Sequence, residues 1–301
     1  GTADALVEGS ETFTVTLSNA TAAGKILTPT VLGTIINNTS PTAVADSVAV
    51  NEDAVTANLV AVLLGNDSEP DPGDVLRILA VDTTVTAGTV IFDVATQTLT
   101  YVANASAHNI LAAGQPATDS FTYTIIDGGN ATSTATVTLA ITGVNDAPVV
   151  QGNKTVAVLE DTGDTALAIT APTDVDFTDV LTITVTGIAT PGQGVVYLAG
   201  GVTPVTLGQV LTSGQLTGLV FRPEPDAEGA AGTISYAVTD SQGGNVSQSV
   251  TLQITPINDP PIATNLNAPE TYVEDTPLSL TGITVSDIDS ANITATLTLS
   301  N

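Results

Sequence analysis

Long stretches of the chain alternate apolar and polar residues with a period of two. Phe121, Tyr123 and Ile125 are separated by threonines, so that successive side chains fall on opposite faces, as in a strand with one buried face. We expect at most a short helical turn at residues 110–113. The same alternation recurs in three further runs: Val137, Leu139 and Ile141; Ile234, Tyr236 and Val238; and Val250, Leu252 and Ile254.

Turns rich in glycine and asparagine connect these predicted strands. Asp127-Gly128-Gly129-Asn130 follows one strand, and Asp240-Ser241-Gln242-Gly243-Gly244-Asn245 follows another. Glycine and asparagine adopt the positive φ that tight hairpin turns require. Many short strands joined by such turns predict an all-β chain of antiparallel immunoglobulin-like sandwiches in tandem, which together form an elongated molecule.

Composition limits the partners of the chain. The 301 residues are enough for about two to three domains. The net charge is −27, from 31 acidic and 4 basic residues, while 43% of the chain is hydrophobic and can build cores. Nucleic acid and anionic membrane surfaces are disfavoured, because both need basic residues. Divalent cations are the natural partners of so many carboxylates.

The residues needed for most catalytic sites are missing from the sequence. The chain has no cysteine and one histidine, His108, which we interpret as a loop residue. No Ser-His-Asp set, phosphate-binding loop or cysteine nucleophile is present, so we predict that the chain is not an enzyme. No run of about 18 apolar residues predicts a membrane span. The opening Gly-Thr-Ala-Asp is not a signal peptide, which leaves an internal segment or an export signal elsewhere.

An acidic signature recurs at the spacing of one domain. A Glu-Asp pair begins at Glu52, Glu160 and Glu274. A spaced acidic cluster follows each pair: Glu69, Asp71 and Asp74; Asp174, Asp176 and Asp179; Asp287 and Asp289. A single Asp in a turn is explained by turn chemistry, and a single Glu-Asp pair by a solvated face. The ordered repetition instead favours tandem modules with a cation site at each joint between them.

Proline-containing junctions divide the chain. Asn145-Asp146-Ala147-Pro148 and Asn258-Asp259-Pro260-Pro261 each follow a predicted strand, and proline stiffens the extended backbone there. We predict sandwiches at residues 38–147 and 148–260. The remaining pieces, 1–37 and 261–301, are too short for a sandwich of about 100 residues. We therefore expect a segment of a longer repeat protein.

At three phrases the chain resembles the bacterial cadherin-like and VCBS-type repeats of giant secreted adhesins of the RTX type. These phrases are Leu64-Gly65-Asn66-Asp67-Ser68-Glu69-Pro70-Asp71, the run from Ala113-Gly114-Gln115 to Asp119-Ser120-Phe121-Thr122-Tyr123-Thr124, and Gly143-Val144-Asn145-Asp146-Ala147-Pro148. Residues 148–260 resemble a divergent cadherin-like repeat, and residues 261–301 the first part of a third. The resemblance implies calcium at the joints between repeats.

The segment Val7–Ser18 resembles the late half of a Calx-beta domain, another calcium-binding sandwich. Its early strands are missing from residues 1–37, so we expect the ligand partners of Glu8 and Glu11 to lie upstream of this segment. We expect a partial Calx-beta-like β segment there.

Sandwich topology indicates which acidic motifs can meet. The loop after the second strand and the last hairpin share one end, while the loop after the first strand lies at the other. A joint then collects the Glu-Asp pair above it, the Asn-Asp of the linker, and the spaced aspartates and hairpin Asp below it. The predicted ligands are Glu52, Asp53, Asn145, Asp146, Asp174, Asp176 and Asp240 at the central joint; Glu160, Asp161, Asn258, Asp259, Asp287 and Asp289 at the downstream joint; and Asp67, Glu69, Asp71 and Asp127 at the upstream joint. Glu224, Asp226 and Glu228 are additional candidates.

Calcium suits these ligands best. It takes six to eight oxygens from carboxylates, amides and carbonyls, whereas zinc prefers histidine or cysteine and magnesium retains several waters. The leading hypothesis is a calcium-rigidified extracellular spacer of a bacterial surface or secreted adhesin, contacting neighbouring repeats of its own chain. Two alternatives stay open: a filament subunit that pairs with other copies by strand complementation, and a module that binds a cell-surface glycan.

Overall fold

The computed structural model describes residues 11–16, 30–35, 38–103, 106–266, 273–277, 282–290, 292–296 and 298. The chain divides into two compact units. The first comprises Gly1–Asp146 together with Val175–Asp179, and the second comprises Ala147–Asp174 together with Val180–Asn301.

Strands account for nearly all regular structure of the first unit. A four-stranded sheet has the order β3-β8-β7-β4, and β5 pairs with β6. A separate hairpin joins β1 to β2, with Glu11 opposite Ile35; the rest of the Calx-beta-like segment, including Glu8, lies outside the described residues. The elements are β1 (Glu11–Thr16), β2 (Thr30–Ile35), β3 (Asp46–Asn51), α1 (Val60–Leu63), β4 (Arg77–Asp82), β5 (Thr89–Asp93), β6 (Thr98–Val102), β7 (Pro116–Ile126) and β8 (Thr132–Thr142).

The long hairpin β7–β8 is the centre of the first sandwich. The alternation predicted for it is confirmed: Phe121, Tyr123 and Ile125 are fully buried, and so are the alternate residues of β8. The turn closes with a hydrogen bond from the Asp127 N–H to the Ala131 carbonyl at 3.1 Å. Asn130 adopts a φ of 73°, which asparagine tolerates better than most residues.

The first strand runs parallel to the last. β3 pairs with β8 in parallel, with Val48 opposite Leu139, although the remaining strand pairings of this sandwich are antiparallel. Alternation does not reveal strand direction, so the antiparallel sandwich predicted from the sequence does not include this parallel pair. The parallel pairing carries the end of β3 to the same edge of the sheet as the end of β8.

The short helix lies away from the position that the sequence suggested. α1 buries Val60 and Leu63, and the Asn58 carboxamide oxygen accepts the Val60 N–H at 3.2 Å. Residues 110–113 form no helix: this loop forms turns, with the Leu111 N–H donating to the His108 carbonyl. His108 is in a loop, as expected, but its side chain is buried.

The second unit repeats the same plan with one more strand in the main sheet. The sheet order is β13-β11-β15-β16-β9, with β9 again parallel to the last strand, β16, and β10-β14-β12 forms a second sheet. The elements are β9 (Lys154–Leu159), β10 (Thr165–Ala166), β11 (Thr182–Ala189), β12 (Gly194–Tyr197), β13 (Val210–Leu211), α2 (Ser213–Thr217), β14 (Val220–Pro223), β15 (Gly229–Thr239), β16 (Asn245–Thr255), β17 (Ile262–Thr264) and β18 (Thr284–Ser286).

Each sandwich has its own apolar core. The second unit buries Ile234, Tyr236 and Val238 of β15 against the alternate residues of β16, as the alternation predicted. The side chain of Tyr236 donates its O–H to Gln248 Oε1 at 2.7 Å across the strand pair. With two such cores, the fold is all-β and consists of tandem sandwiches.

The buried carboxylate of Asp119 connects two parts of the first sandwich by hydrogen bonds. Asp119 accepts the Tyr101 O–H at 2.6 Å and the Gly88 N–H at 2.8 Å. Gly88 must be glycine, because a Cβ there would lie 2.3 Å from the Tyr101 hydroxyl. Burial alone raises the pKa of Asp119, but hydrogen bonds from Tyr101, Gly88, Ala87 and Ser120 outweigh it, and the pKa is lowered.

We expect Asp119→Asn to destabilise the chain by about 1–3 kcal/mol at pH 6, since several N–H and O–H donors would lose their carboxylate. A lowered folded-state pKa contributes stability above the ordinary aspartate value and loses it as pH falls through the folded value. The difference from wild type should therefore shrink towards pH 3 in urea unfolding. The exposed variant Asp275→Asn is the control, and an equal loss at both pH values for Asp119→Asn would contradict the assignment.

Candidate metal centre

The Glu-Asp pair has the same conformation in both units. Glu52 and Glu160 continue the parallel pairing, donating their backbone N–H to Thr142 and Thr255 carbonyls at 2.9 and 3.1 Å. Their side chains are 1% and 2% exposed. The next residue in each pair is left-handed, with φ 57° at Asp53 and 56° at Asp161. The pair thus buries its glutamate and turns the chain immediately afterwards.

Each buried glutamate holds the segment that follows the last strand. Glu52 Oε1 accepts the Val144 N–H at 2.5 Å, and Glu160 Oε1 accepts the Ile257 N–H at 2.5 Å. We call residues 143–148 the first linker and residues 256–261 the second linker. A side chain from the end of the first strand therefore fixes the start of each linker.

A second hydrogen bond fixes the Asn-Asp of each linker. The Asp146 N–H donates to Asp176 Oδ2 at 3.0 Å, and the Asp259 N–H donates to Asp289 Oδ2 at 2.6 Å. Asp176 is among the residues that belong to the first unit. The carboxamide nitrogens of Asn145 and Asn258 each donate to the next residue's carbonyl at 2.9 Å, so an amide oxygen is the atom that Asn258 can offer to a cation.

Carboxylates crowd the second linker. Oxygens of Glu160, Asp259 and Asp289 lie within 4.8 Å of one another, and so do oxygens of Asp161, Asp226 and Asp259. We call these five residues the second linker cluster. Asp259 Oδ2 is buried and has no hydrogen-bond partner among the described residues.

Burial and like charge both act on Asp259. Burial raises its pKa, and the nearby carboxylates of Asp161, Asp289, Asp226 and Glu160 raise it further. Like charges disfavour the ionised form of a carboxyl group, and a bound cation would reverse that effect. The second linker cluster therefore has the charge, the ligand atoms and the crowding that fit a hard cation.

The first linker cluster consists of Glu52, Asp53, Asp146 and Asp176. Burial raises the pKa of Glu52, the hydrogen bond from Val144 lowers it in part, and Asp176, Asp146 and Asp53 raise it further. Glu52 Oε2 is buried and finds no hydrogen-bond partner in the described part of the chain. An unpaired buried oxygen beside like charges is costly, and its position fits a ligand atom for a hard cation.

A third group lies beside the hairpin of the first unit. Oxygens of Glu69, Asp74 and Asp127 are within 4.8 Å of one another. Asp127 is 3% exposed; its Oδ1 accepts the Ala131 N–H at 2.8 Å, while Oδ2 has no partner within the described residues. A Cβ on Gly128 would lie 2.7 Å from Asp74 Oδ1, so the glycine leaves room for that carboxylate. We call this group the hairpin cluster.

Two predicted ligands of the upstream joint are engaged elsewhere. Asp67 accepts the Val44 N–H at 2.8 Å, and its carboxylate lies 3.1 Å from the hydroxyl of buried Tyr123. Asp71 Oδ2 accepts the Thr39 N–H at 2.5 Å. In the structure, Asp67 therefore holds the Tyr123 hydroxyl, and Asp71 holds the backbone of Thr39 against its own loop.

The remaining predicted ligands shape their own loops. Asp240 Oδ1 accepts the N–H groups of Gln242, Gly243 and Gly244 at 2.6–2.9 Å, and one of its oxygens lies within 4.8 Å of an Asp174 oxygen. Asp287 Oδ1 accepts the Asp289 N–H at 3.0 Å, which positions Asp289 towards the second linker.

Sequence reasoning underrated two carboxylates. Asp74 was not among the predicted ligands of the upstream joint, although it follows Glu69 at the spacing by which Asp179 follows Asp174. Asp226 was only an additional candidate, although its loop, Pro-Glu-Pro-Asp-Ala-Glu-Gly, carries three carboxylates within five residues. Matching the spacing of the two repeats would have found Asp74.

Comparisons with known proteins agree with the two sandwiches. Residues 38–143 match the family model of the bacterial cadherin-like domain, and residues 145–253 match that of the bacterial Ig domain. Such domains are adhesion-type repeats, generally structural rather than enzymatic, and typical of extracellular or surface proteins. Among the described residues, no helix has the length and apolarity to cross a bilayer. A search of curated protein sequences found no match.

Similar solved structures are cadherin ectodomains. Protocadherin Gamma B7 extracellular cadherin domains 1-4 are 19% identical, with 87% of this chain and 64% of that chain covered and a TM-score of 0.38. Human Desmocollin-1 ectodomain is 13% identical, with 80% and 46% covered and a TM-score of 0.39. Human CDH23 EC21-23 is 19% identical, with 82% and 84% covered and a TM-score of 0.40. The chain thus spans less than two thirds of the first two.

We expect Asp259→Asn to raise the thermal midpoint of the metal-free chain, because it removes one charge from a crowded group and adds an amide donor. The shift should be about 2–4 °C in scanning calorimetry with a chelator present. Asp93→Asn removes the same charge from an exposed turn and should leave the midpoint nearly unchanged. A lower midpoint for Asp259→Asn would show that the carboxylates do not oppose one another.

Proposed function

We propose that the chain is a calcium-stiffened run of spacer repeats from a large bacterial surface or secreted adhesin. The observation that carries the proposal is the repetition of one arrangement at both linkers: a buried glutamate on the linker N–H, and an aspartate on the Asn-Asp N–H. Because the same arrangement occurs in both units, the shared geometry supports a shared task.

The ligand set supports calcium. Glu160, Asp161, Asp226, Asp259 and Asp289 would supply carboxylate oxygens, and the second linker would add the amide oxygen of Asn258 and backbone carbonyls. The first linker cluster would bind in the same way, with Asn145. Six to eight oxygens of this kind match calcium. The bound ion would supply positive charge that screens the carboxylates from one another.

Stiffening follows from where these ligands are attached. In the second unit they come from the end of β9, the loop before β15, the linker and the loop after β18, and hydrogen bonds join the linker to Glu160 and to Asp289. One cation held by all of them would remove the freedom of the linker. Without the cation, mutual repulsion would loosen the same segment.

The wider context is part of the same proposal. The matched bacterial domains, the phrases typical of VCBS-type repeats and the Calx-beta-like opening support a long extracellular chain of sandwiches. In such a chain these repeats would hold a distal binding domain away from the cell. The hairpin cluster, with Asp127 and Glu69, would serve the repeat upstream.

Calcium should stabilise the chain and reduce its flexibility. Extracellular modules bind calcium with Kd of about 10⁻⁴–10⁻³ M, and a free concentration 100-fold above Kd adds about 2.7 kcal/mol per site. We expect a higher thermal midpoint and a narrower distribution of dimensions in small-angle scattering in calcium than in chelator, with magnesium much less effective.

The double variant Glu52→Gln, Glu160→Gln tests whether these residues carry the response. It should lose most of the calcium-dependent rise in midpoint, while Asp93→Asn with calcium behaves as wild type. Identical scattering profiles of the wild-type chain with calcium and with chelator would contradict the spacer proposal.

A further inference from the structure

Asparagines followed two residues later by serine or threonine are unusually frequent in this chain. Of its 17 asparagines, nine have serine or threonine two positions on, with no proline between. Serine and threonine make up 69 of the 301 residues, so composition alone accounts for about four such triplets. The triplet is the acceptor sequence for N-glycosylation, a modification of surface positions in exported proteins. The excess makes the placement of these asparagines in the fold worth resolving.

Two of the nine asparagines use their carboxamides to stabilise the fold. Asn66 Nδ2 donates to the Ala45 carbonyl at 3.3 Å. Asn153 Oδ1 accepts the Ser249 N–H at 2.8 Å, which connects the start of β9 to β16. Because these side chains already hold backbone groups, their carboxamides are poorly placed to react.

Five others are set aside on position. Asn38 Oδ1 occupies the space beside the β7–β8 turn, where a Cβ on Gly129 would lie 1.8 Å from it. Asn292 is exposed but lies outside both sandwiches, in residues 261–301. Three triplets begin at residues that the structure does not describe: Asn19, Asn37 and Asn104.

The two asparagines that remain lie on the last hairpin of each sandwich. Asn130 is in the β7–β8 turn with a φ of 73°, and Asn245 is the first residue of β16. Both side chains are exposed, and neither carboxamide has a hydrogen bond to another described residue. The hydroxyl residues of the two triplets, Thr132 and Ser247, are exposed as well. An enzyme can therefore reach both parts of the acceptor sequence at each hairpin.

The strands that follow these asparagines suit a sugar chain. Neither β8 nor β16 contains a charged residue, although the chain has a net charge of −27. Every second residue from Thr132 to Thr138 is an exposed threonine, and β16 exposes Ser247 and Thr251. Each hydroxyl can donate and accept a hydrogen bond, so a sugar can pair with this surface without removing a charge from water.

We propose that Asn130 and Asn245 are N-glycosylation sites, each with a sugar chain that covers the outer face of the last strand. In the reaction, the carboxamide nitrogen attacks the anomeric carbon of a sugar diphosphate that is linked to a nucleotide or a lipid. A C–N bond forms, the bond to the diphosphate oxygen breaks, and the amide proton passes to a base of the transferring enzyme. The inference goes beyond the spacer function and requires no bound cation.

The test is mass spectrometry of the intact chain and of its peptides, with the protein and its variants expressed in the native host. The peptides that contain Asn130 and Asn245 should carry sugar mass, and Asn130→Gln or Asn245→Gln should each remove one sugar chain. Thr132→Ala and Ser247→Ala should remove it as well, although the asparagine is retained, whereas Thr132→Ser should keep it. A single sugar would identify a nucleotide-linked donor, and an oligosaccharide a lipid-linked one.

Asn66→Gln and Asn153→Gln are the matched controls, because they remove the same triplet where the carboxamide is engaged, and they should leave the sugar mass unchanged. Unmodified Asn130 and Asn245 in the wild-type protein would overturn the inference. Equal modification of Asn66 and Asn153 would also overturn it, since a free carboxamide would then not select the sites. Calcium binding by the same samples tests the spacer proposal separately.

Discussion

A buried glutamate at the end of the first strand is the interaction on which the linker regions depend. Glu52 and Glu160 each use one carboxylate oxygen to hold the backbone N–H that begins the linker, and each is almost completely removed from water. Burying a carboxylate is costly unless it is paired. The chain has only 4 basic residues, and the salt bridge of the described residues, Arg222–Asp164, lies elsewhere. Under the proposed function, a cation from solution would be that partner.

Parallel pairing is what brings this glutamate to the linker. Because β3 runs beside β8 in the same direction, both strands end at one edge of the sheet, and the first residue after β3 meets the first residues after β8. The second sandwich repeats the arrangement with β9 and β16. An antiparallel first strand would carry the Glu-Asp pair to the opposite edge, far from the Asn-Asp of its own linker.

Much of the fold could be predicted from the sequence, because a strand with one buried face needs an apolar residue at every second position, as at Phe121, Tyr123 and Ile125. Strand direction could not, since alternation is the same either way. Glycine and asparagine identified the β7–β8 turn because few other residues adopt its backbone. α1 was missed, because four residues carry no helical period and depend on Val60 and Leu63 reaching the core. Sequence alone could not show which acidic residues face a possible cation. Asp67 lies against the hydroxyl of Tyr123, whereas Asp74 lies beside Asp127 in the hairpin cluster.

The most direct test of the account is a crystal structure of the chain grown with calcium, with anomalous data to locate the ions. We predict peaks beside Glu52 and Glu160, with the ion at the second linker about 2.3–2.6 Å from oxygens of Glu160, Asp259 and Asp289. Well-ordered linkers in which these carboxylates point into solvent, with no anomalous peak among them, would contradict the claim that a cation completes the site.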